Sequence, residues 1–177
     1  MREQLAKVIG LVAVVLYGLG YLQKKKRNIV LLGAISRVLY VVQYLLLFAF
    51  GGAAMDVLGA TGTFLAGRQD TNFMKKYTRV VMIVLGVLMV GVGVTICVVE
   101  KDAMELLPLV GVLLQTGALF LRDEKKIRVI SLIGSPFWLT YNICSGSTAW
   151  LGDVWCITSL LIAITRYDIM GKRKKKL

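Results

Sequence analysis

The sequence contains no histidine. That removes the side chain that most often serves as a general base at neutral pH and as a metal ligand. Cysteine is scarce, and Cys97, Cys144 and Cys156 form neither a Cys-x-x-Cys pair nor a metal-binding spacing. The three read as apolar residues, and a bridge between Cys97 and Cys144 stays open because both fall near outer helix ends. Proline occurs twice, at Pro108 and Pro136. Acidic residues number 10 against 22 Lys and Arg, and no two of them stand at a catalytic spacing. No catalytic residue, metal or cofactor is therefore expected, and the chain does not read as an enzyme. A cleavable signal peptide is not evident either: the apolar run starting at Leu5 leads into Lys24, Lys25, Lys26 and Arg27 without a convincing small-residue cleavage site. It reads as a first membrane span.

Apolar residues are abundant. They make up 57% of the chain, with a mean hydropathy of +0.72, where a soluble domain carries about 45–50%. Residues 80–99 hold no charge until Glu100, and about 20 apolar residues in helix cross a hydrocarbon core of roughly 30 Å. The 18 glycines fit a membrane bundle, because small residues let helix backbones approach where no hydrophobic force joins them. The net charge of +12 does not signal nucleic acid. The basic residues lie in short clusters between apolar runs, where they set topology and meet anionic lipid head groups.

Seven spans follow, at residues 5–22, 29–50, 53–67, 80–99, 103–121, 127–144 and 148–165. Gly51-Gly52 supplies the turn between the second and third. Asp102 and Glu105 resemble a capping box ahead of the fifth, and Pro108 is expected to bend its first turns. Counted by loop, 18 of the 22 basic residues fall after spans one, three, five and seven. Arg2, Lys7 and Lys101 fall on the other side, and Arg37 lies within a span. The positive-inside rule then places the N-terminus outside and the C-terminus in the cytoplasm.

The loops repeat. Spans one and five precede basic loops. Spans two and six precede short uncharged turns, Gly51-Gly52 and Ser145-Gly146-Ser147. Spans three and seven end in Arg68-Gln69-Asp70 and Arg166-Tyr167-Asp168. An ungapped shift of 99 pairs Gly18 with Gly117, Leu22 with Leu121, Lys26 with Lys125, Val30 with Val129 and Ser36 with Ser135, and sets Gln43 against Asn142. The expected fold is all-α: two parallel triple-helix bundles, residues 1–70 and 102–168, joined by a loop and linker helix at 71–101, with a basic tail at 169–177. Parallel repeats of this kind hold their site near the midplane, at the repeat interface.

This plan resembles the SWEET, PQ-loop and MtN3 superfamily. More closely, the second half resembles the YgjV family of bacterial inner membrane proteins, through Glu105-Leu106-Leu107-Pro108-Leu109-Val110-Gly111, Thr116-Gly117-Ala118-Leu119-Phe120 and Trp138-Leu139-Thr140-Tyr141-Asn142. The Pro-Gln dipeptide of the PQ-loop relatives is absent. The resemblance implies a bacterial inner-membrane location and makes Pro136, mid-helix in span six, a hinge candidate alongside Pro108.

Polar groups inside spans are the candidate site. Ser36, Leu39 and Gln43 share one stripe of span two; Ser135, Trp138 and Asn142 share one of span six. Facing stripes of hydroxyl, amide and aromatic groups suit a small polar solute; equally, such groups bond neighbouring helices. Gln115, midway along span five, is a further lining candidate. Arg37 lies roughly 12 Å into its span at 1.5 Å per residue. It is expected to snorkel toward lipid phosphate, with an anionic substrate or structural pairing as alternatives. Asp56 and Asp153 fall near outer span ends, either solvated or placed to bind protons or cations. The leading function is alternating-access transport of a small solute. The alternatives are a ligand or peptide receptor and an ion channel. The expected partners are the lipid bilayer and a small molecule, with no nucleic acid, and a homo-oligomer stays open.

Overall fold

The computed structural model describes residues 2–48, 50–144 and 150–170. Every regular element among them is helical: α1 Arg2–Tyr21, α2 Lys26–Leu47, α3 Phe50–Gly67, α4 Asn72–Glu100, α5 Leu106–Leu119, α6 Glu124–Cys144 and α7 Trp150–Ala163. These correspond one to one with the seven apolar runs of the sequence. By length and composition, α1, α2 and α4 are each able to cross a membrane.

The boundaries differ from expectation where local chemistry outweighs hydropathy. α2 ends at Phe48, whose φ of 59° is left-handed and whose N–H turns back to the Leu45 carbonyl. Gly51 and Gly52 therefore lie inside the first turn of α3 instead of forming the break. α4 begins eight residues before the apolar run, because the Thr71 hydroxyl accepts from the Met74 N–H. Its first turns carry Lys75, Lys76 and Arg79 on helix, where a loop was expected. At about 1.5 Å per residue, this helix is longer than a hydrocarbon core of roughly 30 Å is thick. Asp102 accepts from the Met104 N–H at 2.8 Å, but it starts a 3₁₀ turn, Ala103–Glu105, ahead of α5. Pro108 thus falls in the first turn of α5, where a missing N–H costs no intrahelical bond. α7 runs on into a π-helical turn, Ile164–Ile169. The Ser145-Gly146-Ser147 turn and the end of the basic tail lie outside the described residues. All three cysteines are free.

α2 packs against both α1 and α3, and α6 against both α5 and α7. α1 also packs on α7, α3 on α5, and α4 lies across α3 and α5. The approach is close wherever a glycine faces a neighbour: a Cβ on Gly152 of α7 would stand 2.6 Å from Val14 of α1, and one on Gly62 of α3 would overlap Thr116 of α5. The outward faces stay apolar, as at Ile83, Val87 and Val98 of α4, so the exposed surface suits lipid. Ser36 is fully buried, and its hydroxyl donates to the Ala13 carbonyl at 2.6 Å. Ser36→Ala is expected to lower stability by about 1 kcal/mol in detergent unfolding; an unchanged midpoint would show that this bond contributes nothing.

Candidate functional site

Between the two helix sets lies a cleft with about 570 Å³ of free space, its open mouth included. Tyr17 of α1, Arg37, Tyr40 and Tyr44 of α2 and Asp56 of α3 line one side. Gln115 of α5, Ser135, Trp138 and Asn142 of α6 and Asp153 and Cys156 of α7 line the other. The two linings match by position. Tyr17 and Gln115, Arg37 and Ser135, Tyr40 and Trp138, and Tyr44 and Asn142 are each 98 residues apart; Asp56 and Asp153 are 97 apart. The backbone contacts behind them keep the same spacing: Ser36 meets the Ala13 carbonyl, and Gly134 faces the Gly111 carbonyl.

The cleft therefore sits on a register of 98, not the 99 read from identities. One residue of helix is about 100° of rotation. In α2 the lining stripe is Arg37, Tyr40 and Tyr44; Ser36 and Gln43 turn instead toward α1, where a Cβ on Gly10 would overlap the Gln43 amide. In α6 the expected stripe of Ser135, Trp138 and Asn142 does line the cleft. Tyr17, Tyr40, Tyr44 and Cys156 escaped the sequence reading. The i, i+3, i+7 spacing of Arg37, Tyr40 and Tyr44 was the signal that could have found three of the four lining positions in α1 and α2.

Arg37 does not snorkel. It is 3% exposed, its Nη1 donates to Asp56 Oδ1 at 3.0 Å, and its guanidinium lies 5.9 Å from the Tyr17 ring centre. α3 accommodates it at Gly59, where any Cβ would overlap Nη1. Asp56 is accordingly buried, not solvated. On the other side Asn142 Nδ2 donates to Asp153 Oδ2 at 2.7 Å. Deeper in, the Tyr17 hydroxyl donates to Gln115 Oε1 at 3.0 Å, and Gln115 Nε2 donates to the Ser135 hydroxyl at 3.5 Å. Trp138 packs on Gly111, and its Nε1–H is buried without an acceptor among the described residues. A Cβ on Gly111 would stand 2.5 Å from the Trp138 ring. Gly111→Ala is expected to displace the indole and cost about 1–3 kcal/mol, read as a lowered unfolding midpoint; full retention of stability would show that the ring packs loosely. Pro136 is exposed and Pro108 buried, and neither lines the cleft.

Tyr44 and Asn142 lie in the last turns of α2 and α6, so the cleft runs from mid-bundle toward those ends. The opposite ends are locked together. Lys26 Nζ donates to Gln69 Oε1 at 2.5 Å and to the Leu121 carbonyl at 2.6 Å, and Gln69 Nε2 donates to the Phe120 carbonyl at 2.5 Å. Reciprocally, Arg128 Nη1 pairs with Asp168 Oδ1 at 2.9 Å, and Nη2 donates to the Gln23 carbonyl at 3.0 Å. Each helix set thus grips the other's loop carbonyls. Arg128, counted from sequence as a loop charge, is 2% exposed.

The family model Imp-YgjV, described as a bacterial inner membrane protein, matches residues 4–170. No curated protein and no solved structure matches the chain.

Proposed function

The chain belongs to the Imp-YgjV family of bacterial inner membrane proteins, and we propose, from its cleft, that it is a seven-span transporter that moves a small polar solute by alternating access. In this reading α1–α3 and α5–α7 are two parallel repeats, α4 is the linker, and the arrangement is SWEET-like. The N-terminus is external and the C-terminus cytoplasmic. The observation that carries the reading is the cleft lined by matched positions of the two halves, with the reciprocal lock of Lys26 and Arg128 at its closed end. Further support comes from the packing, in which the first helix of each set meets the last helix of the other. The lock joins the α1–α2 and α5–α6 connections directly, as parallel repeats require. Basic residues cluster at that end, which supports reading it as the cytoplasmic one. The cleft then faces outward, and breaking the lock while the outer ends close would turn it inward. Pro136 leaves the Leu132 carbonyl without its usual donor and is the proposed hinge of α6.

Purified protein in liposomes tests transport. Saturable uptake of at least one labelled solute among glucose, glycerol and choline is expected. Saturable binding without uptake would instead mean a receptor, and unitary currents a channel. For topology, Lys75→Cys is expected to resist a membrane-impermeant thiol reagent applied to intact cells; labelling there would reverse the orientation.

A further inference from the structure

The two halves of the cleft treat their carboxylates differently. In the first half, Arg37 sits 3.0 Å from Asp56 and neutralises it. The position 98 residues on from Arg37 is Ser135, which carries no charge. Asp153 accordingly accepts from the neutral amide of Asn142 and has no ion pair among the described residues. The charged lining is then Arg37, Asp56 and Asp153, two carboxylates against one guanidinium. Asp153 is half-buried at the cleft, and an ionised carboxylate held partly away from water is stabilised by a cation beside it. The cleft that Asp153 lines is also lined by the rings of Tyr40, Tyr44 and Trp138. Aromatic faces attract organic cations through their quadrupole, and desolvated sites strengthen that attraction. An anionic solute meets the opposite conditions, because the charge of the one lining guanidinium is already balanced by Asp56.

We propose that the cleft takes a small organic cation, a protonated or quaternary amine, whose positive charge does for Asp153 what Arg37 does for Asp56. This rests on the cleft being the site of the proposed function and names its substrate class. Cys156, one turn on from Asp153 in α7, and the Ser135 hydroxyl border the same side and bring no competing cation. Other bases stay out of the lining: on α2 and α6, Lys26 and Arg128 are committed at the far end of the bundle, while Arg2 and Lys7, at the α1 end nearer the mouth, do not line the cleft, and Arg2 lies over the Phe48 ring at 4.2 Å.

The test uses the full chain in detergent, in amine-free sodium phosphate buffer. Choline and ethanolamine are titrated against their neutral counterparts 3,3-dimethylbutanol and ethylene glycol, following the thermal midpoint and binding of labelled choline. A ligand that binds the folded state raises the midpoint by mass action. The amines are expected to raise it in a saturable way and their neutral counterparts not to. Asp153→Asn keeps an acceptor for Asn142 and is expected to weaken choline binding about tenfold or more. The wild-type comparison of amine with neutral counterpart stands even if that variant folds poorly. Equal responses to charged and neutral compounds, no response to either amine, or a response saturated by sodium alone would each overturn the proposal. Uptake separates the two readings. Glucose or glycerol uptake without amine binding leaves transport standing and the substrate class wrong. Amine binding without uptake leaves the substrate class standing and transport wrong.

Discussion

Replacing Arg128 with Met is expected to cost about 3–5 kcal/mol of folding stability, because removing one partner of a buried pair leaves the other charge uncompensated. Arg128 is 2% exposed, and the Asp168 carboxylate it holds at 2.9 Å is 9% exposed at its side chain. The same guanidinium donates to the Gln23 carbonyl at 3.0 Å, so the loss reaches both halves of the bundle. The effect is read as a shift in the thermal or denaturant midpoint in detergent. Arg128→Met combined with Asp168→Asn is expected to be less damaging than the single Arg128 change, since no orphaned charge remains; the coupling between the two sites gives the pair's own contribution. A single-variant cost below about 1 kcal/mol would mean that the pair is hydrated in solution and does not lock the two halves.

Arg37→Met is expected to cost a similar amount, about 3–5 kcal/mol, for the same reason. Asp56 would be left buried and unpaired, and the Tyr17 ring would lose the cation 5.9 Å away. The consequence for the cleft differs from that at Arg128: two carboxylates would then line it without an internal cation. Arg37→Met is therefore expected to destabilise the protein yet leave amine binding intact or tighter, when measured well below the lowered midpoint. Asp56→Asn leaves a buried guanidinium and is expected to destabilise too. The double change should recover part of either loss. Loss of amine binding in Arg37→Met with the fold retained would place the ligand's charge elsewhere than at Asp153.

The helices were legible in the sequence because long uncharged runs have few other uses. Their ends were less so. Phe48 ends α2 through a left-handed backbone that hydropathy does not register, and Thr71 starts α4 by a cap at only 3.4 Å from the Met74 N–H. The loop pattern suggested two repeats, but the register in which the cleft residues pair was not legible. The shift of 99 rests on identities such as Gly18 with Gly117, whereas the residues that share the cleft have diverged in kind: Tyr with Gln, Arg with Ser, Tyr with Trp, Tyr with Asn. Identity cannot align positions whose chemistry has been divided between the halves. That one-residue error turned α2 by about 100° and put Gln43 where Tyr44 belongs. It also hid the aromatic character of the first half, since Tyr40 and Tyr44 sit within an apolar run. Arg128 was misread because loop counting assumes that bases near a span end are solvated; α6 begins at Glu124 and carries Arg128 into the packed interior.

Cys156 gives the most direct measurement of alternating access, since it lines the cleft and is a free thiol. In a Cys97→Ser, Cys144→Ser background, a membrane-impermeant methanethiosulfonate is applied to right-side-out and to inside-out vesicles. Cys156 is 6% exposed and borders the cleft, so the wild-type lock predicts slow but complete modification from the outer face and still slower modification from the inner one. Lys26→Ala removes the bonds to Gln69 and to the Leu121 carbonyl. Bonds from a charged donor contribute about 1.5–3 kcal/mol each, so their loss should raise inner-face reactivity by about tenfold or more, with outer-face reactivity falling in step. Equal reactivity from both faces in both proteins would indicate a continuous pore, and a thiol unreactive from either face in either protein would contradict a solute cleft between the two halves.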